Sequence, residues 1–155
     1  MTDRTPYTAD ISQVAGCYNL PFALLEAQVI HESSADPFAF RYEHAYFDRY
    51  IYNRPDVKGY KYGPLAACSY GLLQIMLETA IELGFTGQPQ DLFVPRVGLN
   101  WGAKKMQELV AWSKGDYKSA LAAYNGGTVG NTIAPLRNQA YVDAVYQLVG
   151  SGGAA

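Results

Sequence analysis

PFALLEAQVIHESS, Pro21 to Ser34, reads as one helix, and the rest of the chain is organised around it. Pro21 suits a first helical turn, where its missing N–H has no partner to lose. Pro37 pushes the residue before it out of the helical region, so the helix is expected to stop near Ser34 or Ala35. At about 100° per residue, Leu25, Gln28, Val29 and Glu32 share a face, with Glu32 almost directly above Leu25. Phe22, Leu24 and Ile30 carry apolar groups to the other faces, so the helix is expected to be surrounded by protein. Glu32 then ends an apolar stripe, where lost hydration favours the neutral acid. A carboxylic acid protonated at neutral pH is what general-acid chemistry requires. Taken from this helix alone, such a glutamate more often leans into solvent or pairs with a cation.

The 155 residues suit one domain, and 49% hydrophobic content argues for a packed core rather than disorder. A net charge of −2 with no run of like charges argues against nucleic acid as the main partner. No apolar run approaches the ~18–20 residues of a membrane span. The first residues, MTDRTPYTADIS, have no apolar signal core. Cys17 and Cys68 match no metal spacing and read as two buried free thiols, with a disulfide left open. His31 and His44 also form no metal motif, and His31 reads as a packing or surface residue. No metal or other cofactor is expected, and a monomer is expected. Seven of the thirteen tyrosines fall between Arg41 and Tyr70. They suit either a groove that holds sugars or a small satellite core.

Thr8 to Gly16 reads as a first helix capped by Thr8. His44 to Tyr52 carries helical spacing, and Asn53 to Pro64, with two prolines and two glycines, reads as an exposed loop. A hairpin inside Asn53–Ala67 has no pattern to support it. Tyr70 to Leu83 has Leu72, Leu73, Ile75, Met76 and Ala80 in helical phase, closed by Gly84. Phe85 to Val94 is a connector. Arg96 to Ser113 is a long helix with Leu99, Met106, Leu109 and Val110 inward. Asp116 caps a helix from Tyr117 to Tyr124, which Asn125-Gly126-Gly127 ends. The last helix runs from about Arg137 to Val149, and Gly150–Ala155 is expected to be a flexible tail. With no β-alternation and no internal repeat, the fold class is mainly α: about seven helices in a single domain, residues 1–149, packed around Pro21–Ser34.

Four short stretches, taken in order, say more than any of their residues singly. Glu32-Ser33 ends the central helix, with Pro37 close behind. Gly71-Leu72-Leu73-Gln74-Ile75 opens a second helix. Ala122-Ala123-Tyr124-Asn125-Gly126-Gly127 closes a third, and Tyr141-Val142 stands in the last. Over Leu24 to Val145 this order resembles the soluble lytic transglycosylase family, the Slt-type members of the lysozyme-like superfamily. The family pattern is Glu-Ser followed by Pro, then Gly-Leu-Met-Gln, then Ala-Ala-Tyr-Asn-Ala-Gly, then Tyr-Val.

The resemblance implies a lysozyme-like bundle with a groove for the glycan strands of bacterial peptidoglycan. It implies that Glu32 is the one general acid and base, which protonates the glycosidic oxygen between N-acetylmuramic acid and N-acetylglucosamine. The C6 hydroxyl of the sugar would then close a 1,6-anhydro ring. Ser33 would bond near Glu32 or the sugar. Gly71, Leu73 and Gln74 would line the cleft, Tyr124 and Asn125 would face a sugar, and Tyr141 would bond close to Glu32. Each has a plainer reading: a helix-end serine, a helix-entry glycine, a C-cap asparagine, a core tyrosine. Leu73 replaces the family's Met, and Gly126 its Ala; both are mild departures. The interval from Glu32 to Gly71 is longer than the family pattern and holds the tyrosine-rich segment 41–70, as a lid or a longer groove wall. It also brings Glu43, Asp48 and Asp56, any of which would supply the second carboxylate of a goose-lysozyme-like hydrolase. A non-catalytic glycan-binding module is the remaining alternative. With no export signal visible, delivery in a bacteriophage particle or at phage lysis is expected, ahead of a bacterial secretion-system enzyme.

Overall fold

The structure is a computed structural model and describes residues 3–128 and 138–152. Its central element is α2, Phe22–Ser33. Pro21 stands just outside it as the N-cap residue, and its carbonyl accepts the amides of Leu24 and Leu25. Ser34 and Ala35 end the helix in left-handed backbone, at φ 54° and 60°. Leu24 through Val29 are all buried, so the middle of the helix is enclosed on every side. The enclosing elements are α1 (Thr8–Cys17) and α7 (Gln139–Gly152), which pack on α2, and α5 (Pro95–Trp112) and α6 (Tyr117–Gly126), which pack on each other. Ile11, Leu25, Val29, Leu99, Met106, Leu121 and Val142 meet in the main core. Thr8 does not cap α1: Tyr7 stands at the N-cap, and the Thr8 hydroxyl bonds to the Thr5 carbonyl. Asp116 caps α6 as expected, accepting the amide of Lys118 at 3.0 Å. The last helix continues three residues past Val149, to Gly152. Its expected first residue, Arg137, and the end of the tail lie outside the described residues.

The expectation of no β-structure is overturned. Phe40–Tyr42 (β1), Cys68–Tyr70 (β2) and Ile75–Met76 (β3) form an antiparallel sheet in the order β1-β2-β3. The helix expected over Tyr70–Leu83 is therefore a hairpin followed by a short helix, α4, Leu77–Glu82. Gly71 and Gln74 at its turn have φ of +69° and +47°, which a right-handed helix cannot contain. The helical phase was misleading because Cys68 through Leu73 are all buried, and strands of two or three residues are too short to show an alternation. The hairpin also lies past Asn53–Ala67, which instead ends in a 3₁₀ stretch, Tyr60–Ala67. Between β1 and that stretch the chain makes α3 (His44–Tyr46), which runs on as a π-helical turn, Phe47–Ile51. Both cysteines are free thiols; Cys68 is buried, but Cys17 is exposed rather than buried as expected.

Candidate active site

Glu32 occupies the last turn of α2, at the wall of a cleft of about 750 Å³. Tyr141 from α7 donates its hydroxyl to Glu32 Oε1 at 2.6 Å. Tyr141 is itself held from α2: the Gln28 amide donates to its oxygen at 3.4 Å, and the His31 ring meets its edge at 4.9 Å. Three positions on one helix thus fix the phenol that orients the carboxyl. Burial raises the Glu32 pKa above the ordinary carboxylate range; the Tyr141 hydrogen bond and the charges of Lys105, His31 and Arg41 oppose the rise without cancelling it. Burial, reinforced by the charge on Glu32, also holds Tyr141 in its phenol form, so it stays a donor.

Lys105 is the site residue that the motif reading missed. Its Nζ donates to the Tyr124 carbonyl at 2.8 Å and lies 4.0 Å from the centre of the Tyr124 ring. Burial lowers its pKa to about 8, against the opposing pull of Glu32. It lines the same cleft as Glu32, without an ion pair between them. The Lys104-Lys105 pair reads as a solvated helix face. The available signal was phase: Lys105 shares a stripe with Gly98, Gly102 and Leu109, on which a lysine is out of place.

The cleft floor is one face of the sheet. Arg41, Ser69 and Met76 stand side by side in cross-strand register, and all three line it. Gln74 lines it too. Its amide nitrogen bonds to the carbonyls of Ala39 (3.0 Å) and Gly71 (3.1 Å), which leaves Oε1 as the group it offers to a ligand. Asn125 lines the opposite side, exposed at the end of α6.

Of four other residues expected at the sugar, three stand in the wall behind the cleft and Tyr124 lines it. Leu73 is fully buried and cannot touch a ligand through its side chain. Its carbonyl accepts the Tyr124 hydroxyl at 2.7 Å, so Tyr124 contributes a ring to the cleft and spends its hydroxyl on the wall. The Ser33 hydroxyl donates to the Leu72 carbonyl at 2.9 Å and ties α2 to the same turn. Gly71 is buried beneath that turn and faces the Leu92 carbonyl. The Gly71–Gln74 turn is thus a brace between α2 and α6.

Of the candidate second carboxylates, Asp48 is exposed and paired with His44 at 2.9 Å, and Asp56 is exposed and paired with Arg54 at 2.8 Å. Neither reaches the cleft. Glu43 does, but it is held by the Arg41 guanidinium. The tyrosine-rich segment divides: Tyr46 and Tyr50 line the cleft, Tyr46 and Tyr62 pack on a small core, Tyr70 is buried in the second core, and Tyr52 and Tyr60 are exposed. Among the described residues no helix is long and apolar enough to cross a membrane, and no group of three His, Cys, Asp or Glu could hold a metal ion.

A mainly helical bundle with one hydrogen-bonded, buried carboxyl at a cleft defines the class of protein, a lysozyme-like domain. The transglycosylase SLT domain profile matches residues 11–143, and the chain belongs to that family. Its fold is similar to that of an inactive mutant of the lytic transglycosylase Slt from Pseudomonas aeruginosa, with a TM-score of 0.66 and 20% identity. The similarity covers 93% of this chain and 23% of the other, so the chain spans about a quarter of the length of that protein. Comparison with curated protein sequences gives no match.

Proposed function

We propose that the chain is a lytic transglycosylase that cuts the glycan strands of peptidoglycan with Glu32 as its single acid and base. The observation that carries this reading is the pairing of Glu32 with Tyr141; of the other carboxylates that line the cleft, Glu43 is held by an arginine, and Glu82 and Glu108 are exposed. The related Slt structure is of an inactive form in which glutamine replaces a glutamate, the exchange that would remove the Glu32 proton. The Glu32 carboxyl gives its proton to the bridging oxygen between N-acetylmuramic acid and N-acetylglucosamine. The C1–O bond breaks, and its electron pair stays on that oxygen. The C6 hydroxyl of the muramic sugar then bonds to C1 and returns its proton to Glu32. A glycosidase that uses water needs a second carboxylate at a set separation; a sugar that brings its own nucleophile does not.

The test is mass spectrometry of the soluble fragments released from purified peptidoglycan. Fragments ending in 1,6-anhydro-N-acetylmuramic acid are expected. Fragments heavier by one water would move the reading to a hydrolase with Glu43 as its base, and no fragments at all would leave a binding module.

Only the protonated Glu32 can act as acid, so the alkaline fall in rate should track its pKa. Tyr141→Phe and Lys105→Met each remove an influence that lowers this pKa. Both variants should shift the alkaline limb to higher pH, and Tyr141→Phe should also lower the maximum rate by freeing the carboxyl. Rate profiles across pH check this. A limb that stays in place in both variants would show that another group sets it.

A further inference from the structure

The segment between β1 and β2 holds most of the tyrosine-rich stretch and lies in the interval between Glu32 and Gly71. It is folded around its own core of Ile51, Ala66 and Ala67, on which Tyr46, Phe47, Val57 and Tyr62 pack. It is also fastened to α4. Glu78, 1% exposed, stands so close to Gly59 that any side chain there would collide with its Oε2. A segment built this firmly presents fixed side chains.

Two of those side chains are Tyr46 and Tyr50, which stand on the cleft wall with ring centres 4.8 Å apart. Tyr46 stands just before the π-helical turn Phe47–Ile51 and Tyr50 lies within it, a distortion that recurs at functional sites. Tyr50 is 43% exposed and takes no part in the small core, so packing does not account for it. Burial, with the charges of Glu82 and Glu78, pushes the Tyr46 phenol up to about 12, so it keeps its proton and both donates and accepts. The polar groups around the pair are Arg41, Glu43, Thr79 and Glu82. The charges that act on Tyr46 are those of Glu82 and Glu78, whereas Lys105, His31 and Arg41 act on Glu32. Glu82 and Glu78 act from α4 and Lys105 from α5, so the two positions are met by different helices along one cleft.

We propose that Tyr46 and Tyr50 form an outlying glycan subsite, a platform on which a pyranose ring stacks away from the bond that Glu32 cleaves. The inference rests on the glycan-cleaving reading of the site. A pyranose has an apolar C–H face and a rim of hydroxyls, and this wall has aromatic faces with donors and acceptors around them. A peptide ammonium fits less well. The Arg49 guanidinium already lies 5.3 Å from the Tyr50 ring centre, and Arg41 already neutralises Glu43. The subsite makes the enzyme prefer long strands over short ones.

The experiment uses the full chain with Glu32→Gln, so that ligand is not consumed, and titrates it calorimetrically with short and long chito-oligosaccharides. Adding Tyr50→Ala should weaken the long oligomer by about 3- to 10-fold and leave the short one unchanged. Tyr50→Phe should restore the long oligomer, and neither variant should alter the melting temperature. Equal loss for both lengths, no loss for either, or no binding of the long oligomer before Tyr50 is changed would each overturn the subsite. Failure of the native chain to release fragments from peptidoglycan would instead overturn the cleavage reading, and a length-dependent effect of Tyr50 would survive it.

Discussion

Glu32→Gln is expected to lower glycan cleavage by about 10²- to 10⁴-fold, the usual contribution of a general acid, with the fold intact. Glutamine keeps the shape and can still meet the Tyr141 hydroxyl, but it has no proton to give. The same change should raise thermal stability at neutral pH. Burial holds the folded pKa of Glu32 above its ordinary value of 4.5. Below 4.5 the group is protonated both folded and unfolded, and it adds nothing. As the pH rises through the folded pKa, the buried group must ionise at a cost that the unfolded chain does not bear. The stability gained by Glu32→Gln should therefore be absent in acid and grow toward neutral pH. Clearing of isolated cell walls reads the first effect, and melting curves across pH read the second. Equal clearing by both proteins would remove Glu32 from the mechanism, and a gain in melting temperature that persists in acid would have another origin.

Gly71→Ala is expected to cost about 2–5 kcal/mol, from strained backbone and from a forced contact together. Gly71 has a φ of +69°, and a Cβ there would fall 2.7 Å from the Leu92 carbonyl oxygen. A carbonyl in packed backbone has little room to retreat. For a domain of this size the melting temperature should fall on the order of 10 °C. Activity should fall as well, at a temperature where the variant is still folded. The same turn accepts the hydroxyls of Ser33 and Tyr124 and sets Gln74 at the cleft. A stability loss under ~1 kcal/mol would mean that the backbone at Leu92 yields. Full activity in the folded variant would mean that the brace does not position the site.

These two residues show how differently parts of the site could be read beforehand. The apolar stripe beneath Glu32 was legible because it is written at three- and four-residue spacing in its own helix; the role of acid came from the resemblance of the four stretches and not from that helix. The caps and breaks at Pro21, Asp116 and Gly127 were legible for the same reason, since each acts on backbone within a turn of itself. The likeness of the four short stretches to the Slt family supplied their order along the chain, and with it the mainly helical fold.

Contacts that join distant segments were not legible. Ser33 meets the Leu72 carbonyl and Tyr124 the Leu73 carbonyl, whereas its own helix offers Ser33 just the Val29 carbonyl one turn back. Leu73 was expected at the cleft from the resemblance; in the turn between Gly71 and Gln74 its side chain is buried in the core. The sheet was hidden because its strands are two or three residues long, too short for an alternation to stand out. Lys105 became a site residue only when α5 was laid beside the end of α6. Local pattern was enough to determine most of the helices and to put the acidic residue Glu32 at the end of one of them, but not the hairpin at Gly71–Gln74. Which polar groups surround that acid depended on packing, because burial and hydrogen-bond partners belong to pairs of elements and not to either one alone.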